Sequence, residues 1–171
     1  MRIILFRHGP AGERDPDRWP DDRLRPLTSR GETRTRRAAR GILRLEGKLR
    51  GVLTSPLARC ARTAEILREE AGLTVAPDVL PALAPGGSWR EILLRLGEES
   101  PESNVALVGH EPDIGKLAGV LLFGAPASLP LKKAGACAIE FEGTVSAGAG
   151  QLRWFLHPRA LARVAAARSK V

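Results

Sequence analysis

Apolar residues along the chain fall into two patterns. Ile3-Ile4-Leu5-Phe6 and Val105-Ala106-Leu107-Val108 are short, continuous runs without polar alternation, the signature of strands covered on both faces. Gly51 to Thr54 is a shorter run of the same kind, and Leu73-Thr74-Val75 predicts another strand. The second pattern has helical spacing. Ala38, Ile42, Leu45 and Leu49 recur at steps of four, three and four, one buried stripe of a helix that begins near Leu27. Ser29 and Glu32 have capping-box spacing, with Thr28 as the rival cap. Leu57, Ala61, Ala64 and Leu67 mark one side of a helix from Leu57 to Ala71, closed by Gly72. Ser88 precedes a helix carrying Trp89, Ile92, Leu93 and Leu96, and a further helix runs from about Asp113 to Leu122.

The later chain reads differently. Ala136 to Glu142 and Gln151 to Leu156 predict an antiparallel pair joined by the Gly-rich segment 143–150. Arg159 to Arg168 predicts a terminal helix, and Pro101 to Ser103 a turn. Alternating strands and helices through Leu122 place the chain in the α/β class. The expected architecture is a three-layer sandwich, a mostly parallel central sheet with helices on both faces and the hairpin at one edge. At 171 residues, without a repeat or a linker, residues 1–171 are expected to form a single domain.

Composition narrows the function classes. No apolar run approaches the ~20 residues of a membrane span, and the N-terminus lacks the long apolar region of a signal peptide. A cytoplasmic protein without membrane contact is expected. Cys60 and Cys137 lie far apart without metal-ligand spacing and read as free buried thiols. The formal charge is +8, carried mostly by arginine. Such a surface attracts phosphate, nucleic acid or acidic proteins, and equally serves as solvated helix faces. Its basic clusters lack interleaved aromatics and tyrosine is absent, so nucleic acid is not expected as a partner.

Three strand-to-helix junctions carry the chemistry. They are Arg7-His8-Gly9, Thr54-Ser55-Pro56 followed by Arg59, and Val108-Gly109-His110-Glu111. In a parallel sheet all three open on one edge, where ligands of α/β folds bind. Alone, Arg7 reads as a strand-end charge and His8 or His110 as a packed histidine. Together, two arginines and two histidines suit a phosphoryl group. The arginines hold its oxygens, Gly9 permits close approach, one neutral histidine attacks phosphorus, and the other donates to a transferring oxygen. His8 and His110 lack carboxylate or cysteine companions at ligand spacing, so no metal and no cofactor are expected.

On these residues the chain resembles the histidine phosphatase superfamily, over nearly its whole length. Arg7-His8-Gly9 matches the family hallmark. Arg25-Pro26-Leu27-Thr28 with Gly31 matches the start of the first helix. Ser55-Pro56-Leu57-Ala58-Arg59 with Thr63-Ala64 matches the second phosphate-binding segment, and Gly109-His110-Glu111-Pro112 the second-histidine segment. Within the family it looks like the short phosphohistidine phosphatases of the SixA type. Small size, Leu80-Pro81-Ala82-Leu83, Leu131-Lys132-Lys133-Ala134-Gly135, Leu152-Arg153-Trp154 and His157-Pro158 carry that likeness.

The resemblance implies a phosphoglycerate mutase-like fold and a metal-independent hydrolase. His8 would be transiently phosphorylated, with Arg7, Gly9, Arg59 and His110 forming the phosphate pocket. The substrate would be a phosphohistidine-bearing protein, for example a histidine-phosphotransfer domain. Small-molecule phosphomonoesterase and phosphate-binding pseudoenzyme are the alternatives. Two departures stand out. The family's frequent glutamine before Thr63 is Arg62, and Val79 to Trp89 holds no Asp or Glu where many members place a general acid, Ala82 standing there. Glu13, Asp15, Asp17 and Glu111 are the remaining acid candidates, each also readable as a surface charge. Cys60 reads as buried rather than reactive, His157 as a surface turn, and Lys132, Lys133 and the arginines near Arg36 as solvated faces in preference to groups that steer an acidic phosphoprotein.

Overall fold

The computed structural model describes residues 1–100 and 102–167. Six strands form one sheet: β1 (Arg2–Arg7), β2 (Gly51–Thr54), β3 (Asp78–Val79), β4 (Asn104–Gly109), β5 (Ala136–Glu140) and β6 (Gln151–Leu156). Their spatial order is β3-β2-β4-β1-β5-β6. β1, β2, β3 and β4 run parallel. β5 pairs antiparallel with β1, and β6 antiparallel with β5. The helices are α1 (Ser29–Glu46), α2 (Ala58–Ala71), α3 (Trp89–Leu96), α4 (Asp113–Phe123) and α5 (Pro158–Ala166).

Period-two alternation sorts the central strands into two layers of core. Ile4 and Phe6 of β1 and Ala106 and Val108 of β4 face α1, α2 and α5. Ile3, Leu5, Val105 and Leu107 face α3 and α4. All four apolar residues of β1 are fully buried, which is why that run shows no polar alternation. The architecture is therefore the expected α/β sandwich with helices on both faces.

Several boundaries differ from the expectations. The strand predicted at Leu73-Thr74-Val75 does not form. The Leu73 N–H donates to the Arg68 carbonyl and its own carbonyl accepts from Arg68 Nη1, so the end of α2 consumes its backbone. The strand beside β2 is instead the two-residue β3. Thr28, rather than Ser29, caps α1, its hydroxyl accepting from the Gly31 N–H. Leu45 is exposed, because the stripe drifts around the helix in its last turn, while Leu49 is buried beyond the helix end. In α2 the inward residues are Cys60, Thr63, Ala64 and Leu67, and Ala61 lies partly exposed. Pro101 of the predicted turn and Arg168 of the terminal helix lie outside the described residues. Among the described residues no helix is long and apolar enough to cross a membrane.

α1 and α5 approach closely at Gly41, where a Cβ would overlap the backbone of Leu161. Gly41→Ala is expected to lower stability by about 1–3 kcal/mol through overpacking, despite alanine's better helix propensity. A chemical-denaturation midpoint measures it.

Candidate active site

Parallel pairing of β1, β4 and β2 brings the three junctions to one edge. Arg7 lies beside Gly109 and Thr54 beside Val108 in register. The ladder continues one step into the loops: the His8 N–H donates to Gly109 and the Ser55 N–H to Val108. Thr63 of α2 then ties two junctions together. Its hydroxyl accepts from the Gly9 N–H at 3.0 Å and donates to the Arg59 carbonyl at 2.7 Å.

His8, Arg59 and His110 are almost completely buried there. The two imidazoles lie with ring centroids 5.1 Å apart at 58°. His8 Nδ1 sits 2.7 Å from the Gly9 carbonyl. A carbonyl only accepts, so Nδ1 carries the proton and Nε2 the lone pair. Burial pushes the His8 pKa down to about 3, and the charges of His110, Arg59 and Arg7 push the same way against the Gly9 hydrogen bond. Burial and Arg59 likewise hold His110 at about 4. Both rings are neutral at physiological pH.

The arginines are anchored from behind. Arg7 Nη1 donates to the Leu131 carbonyl at 2.7 Å, and the Leu131 N–H donates to Glu111 Oε1 at 2.9 Å. Arg59 Nη1 donates to the Asp22 carbonyl, and its Nη2 pairs with Asp22 Oδ2 at 3.1 Å. Asp22 also binds Arg25 Nε at 2.8 Å. These contacts leave Nε of both Arg7 and Arg59 without a partner. Among the described residues no other buried side-chain nitrogen or oxygen is in that state. Unpaired buried donors are costly, and here they are the two guanidinium groups whose charges act on His8.

His110 has its own support. Its Nε2 lies 2.9 Å from Ser55 Oγ and 3.3 Å from Cys60 Sγ. Ser55 Oγ accepts from the Leu57 N–H and lies where its O–H can donate to His110 Nε2. With Ser55 as donor the His110 proton is on Nδ1, the nitrogen 3.9 Å from Cys60 Sγ. Burial holds the Cys60 thiol up at about 12, so it packs against the ring as a neutral thiol. Both Cys60 and Cys137 are free and buried.

The structure brings Arg7, His8, Arg59 and His110 to one edge, where the sequence placed them. At Gly9, expected to let a phosphate approach the backbone closely, the N–H donates to Thr63 and the carbonyl accepts from His8 Nδ1. The missing side chain also serves packing, since a Cβ there would overlap Thr35. The Gly9 carbonyl orients the His8 ring. Of the acid candidates, Glu13, Asp15 and Asp17 are exposed. Glu111 is half-buried, and its carboxylate is spent on the loop that holds Arg7. Burial raises its pKa. Arg62 pairs with Glu32 and Glu69 on the surface of α1 and α2. His157 is exposed and caps α5.

Next to His110 opens a cleft of about 290 Å³, lined by Ala82, Leu83, Trp89, Ile92, Asp113 and Lys116 among others. Ala82 puts a methyl group where an acid was sought. Sequence reasoning did not single out Asp22, Asp113, or Ser55 as an individual residue. Asp22 and Asp113 sit in segments without a spacing signature, and only folding shows what their carboxylates face. Among the described residues no group of three or more His, Cys, Asp or Glu side chains is placed to hold a metal ion.

Two predictions follow from the buried imidazoles. Between the ordinary histidine pKa of 6.5 and the values near 3 and 4 of the folded protein, the unfolded chain binds more protons. Stability is therefore full above pH 6.5 and declines as pH falls below it. Urea unfolding from pH 7.5 to 4.5 should show this slope, reduced in His8→Gln. Ser55→Ala frees the His110 tautomer and should lower kcat about tenfold or more, and it should cost about 1–3 kcal/mol of stability because His110 Nε2 and the Leu57 N–H lose a buried partner. Steady-state kinetics on p-nitrophenyl phosphate reads the rate, and urea unfolding the stability.

Known proteins resemble this chain in sequence and in fold. Residues 3–84 match the model of the histidine phosphatase superfamily, branch 1. The chain is 44% identical over 138 residues to an uncharacterized protein of Picosynechococcus, covering 79% of this chain and 82% of the relative. It is 29% identical over 126 residues to the phosphohistidine phosphatase SixA of Escherichia coli K12, covering 72% and 76%. The solved structure of a protein histidine phosphatase SixA complexed with tungstate superposes with a TM-score of 0.80 at 26% identity, over 94% of this chain and 99% of that one. The chain belongs to the histidine phosphatase superfamily, a family of phosphatases, and within it is of the SixA type.

Proposed function

We propose that this protein is a phosphohistidine phosphatase acting on a phosphorylated protein, with His8 as nucleophile. The observation that carries this reading is the pair of unpartnered Nε donors of Arg7 and Arg59 beside a neutral histidine. Two guanidinium forks neutralise a phosphoryl group and hold its oxygens as charge spreads in the transition state. The similarity to a SixA structure complexed with tungstate, a tetrahedral oxyanion like phosphate, supports it.

In the first step, His8 Nε2 attacks phosphorus and the bond to the substrate imidazole breaks. When the other nitrogen of that imidazole carries a proton, the ring leaves neutral. An alkoxide leaving group would need a proton from an acid; the segment 79–89 supplies none, with Ala82 lining the cleft there, and the carboxylate that does line the cleft, Asp113, accepts from the Gly86 N–H. His110 Nδ1–H and the arginines stabilise the transferring oxygens. Phosphorylated at Nε2, His8 keeps its Nδ1 proton on the Gly9 carbonyl. It is then the same kind of species as the substrate, and water takes the phosphoryl group to give phosphate and neutral His8. The arginines supply the charge neutralisation that a metal supplies elsewhere, so we propose metal-independent turnover. Two buried free thiols fit a reducing cytoplasm, and we propose one catalytic domain spanning the chain.

A second reading, hydrolysis of small phosphate esters, draws on the same cleft, where Asp113 and Lys116 offer polar contacts beside Trp89. Specificity constants separate the two. The protein should clear a phosphohistidine-bearing phosphotransfer domain far faster than p-nitrophenyl phosphate, and His8→Ala should lose both by roughly a thousandfold or more. Equal or faster ester turnover would favour the small-molecule reading, and phosphate binding without turnover a pseudoenzyme. Chelation with EDTA should leave the rate unchanged.

A further inference from the structure

The arginines of this chain divide into two populations. Arg36 and Arg40, on the side of α1 that faces α2, pair with Glu69 and Glu70. Arg62, Arg68 and Arg95 are likewise paired. Arg30, Arg34 and Arg37 lie at helical steps of four and three on another side of α1, all exposed. Arg159 of α5 joins them in a shallow groove with Thr33, Pro158 and Ala162. Among the described residues no acidic side chain lines that groove. None of the four arginines makes an ion pair among the described residues.

Lys132 and Lys133, both exposed, lie on the loop that joins the groove to the site. At the site the Leu131 carbonyl accepts from Arg7 Nη1, and the Ala134 N–H donates to the Arg7 and His8 carbonyls. Toward the groove, Ala136 pairs with Leu156, two residues before Pro158. The charges of Arg34, Arg159 and Lys132 all reach His157. The carboxylates of the first loop, Glu13 and Asp15, line a separate cleft with Arg14 and Arg18. A surface of like charges kept unpaired repels itself, while neighbouring arginines on the same helix are neutralised.

Resting on the reading of the pocket as a phosphohistidine site, we propose that Arg30, Arg34, Arg37, Arg159 and Lys132 form the docking surface for an acidic face of the phosphorylated protein. The arrangement orients that partner with its phosphohistidine over Lys133 and the pocket. Nucleic acid is the less favoured occupant, because no aromatic side chain lines the groove for base stacking. A complementary acidic face raises the association rate, an effect that salt screens over roughly 8 Å at physiological ionic strength.

The test combines Arg30→Ser, Arg34→Ser, Arg37→Ser and Arg159→Ser in one full-length variant. Its substrates are an acidic histidine-phosphotransfer domain carrying phosphohistidine, free phosphohistidine, and p-nitrophenyl phosphate. We expect kcat/KM on the protein to fall about tenfold or more, mainly through KM, and its salt dependence to flatten. Both small substrates should be hydrolysed as by wild type, which also shows that the variant is folded. Replacing the same four residues with lysine should restore most of the loss. Unchanged kcat/KM on the protein overturns the docking surface alone, as does an equal loss on all three substrates. Single-stranded RNA that competes with the acidic domain at equal concentration overturns the choice of partner. Wild type that ignores both phosphohistidine substrates while hydrolysing the ester overturns the functional reading beneath the proposal, and the docking surface with it.

Discussion

One short hydrogen bond governs the chemistry of this fold, from His8 Nδ1 to the carbonyl of Gly9. It decides which nitrogen of a neutral imidazole carries the lone pair. On the proposed route it also keeps the second nitrogen protonated in the phosphorylated ring, which makes the phosphoryl group easy to pass to water. The bond requires a fixed Gly9, and Gly9 is fixed from two sides. Thr63 accepts its N–H, and the close packing of α1 leaves no room there for a side chain.

Around that bond the site is held by secondary contacts that each serve one catalytic side chain. Leu131 and Glu111 hold Arg7, Asp22 holds Arg59, and Ser55 with Cys60 holds His110. On both arginines the anchors leave Nε over. Burial of this much positive charge is tolerable because both histidines are neutral, and the low dielectric that depresses their pKa also strengthens the field at a bound oxyanion.

Much of this was legible in the sequence, for a physical reason. The strands that carry the site are buried on both faces, so their apolar runs are continuous, and the polar residues that end them stand out. Three such endings in parallel strands must share an edge, which is why Arg7, His8, Arg59 and His110 converge as expected. Edge elements were read less well. Leu73 to Val75 has strand composition, yet the C-terminal turn of α2 took its backbone hydrogen bonds, and a two-residue strand at Asp78 took the pairing. Thr28 and Ser29 both have capping chemistry, and only the loop geometry selects between them. Asp22 was invisible because a carboxylate in a mixed-charge loop carries no mark of the arginine it faces. The packing of Gly9 against α1 carried no mark in the sequence, because it depends on where Thr35 lands.

The most direct test of the account is rapid-quench labelling with a phosphotransfer domain carrying radioactive phosphohistidine, quenched in alkali to preserve phosphoramidates and mapped by mass spectrometry. The account predicts transient label on His8, at Nε2, within the first turnover, and none in His8→Ala. Label on His110, label at Nδ1 of His8, or single-turnover hydrolysis at full rate with no labelled enzyme would contradict it.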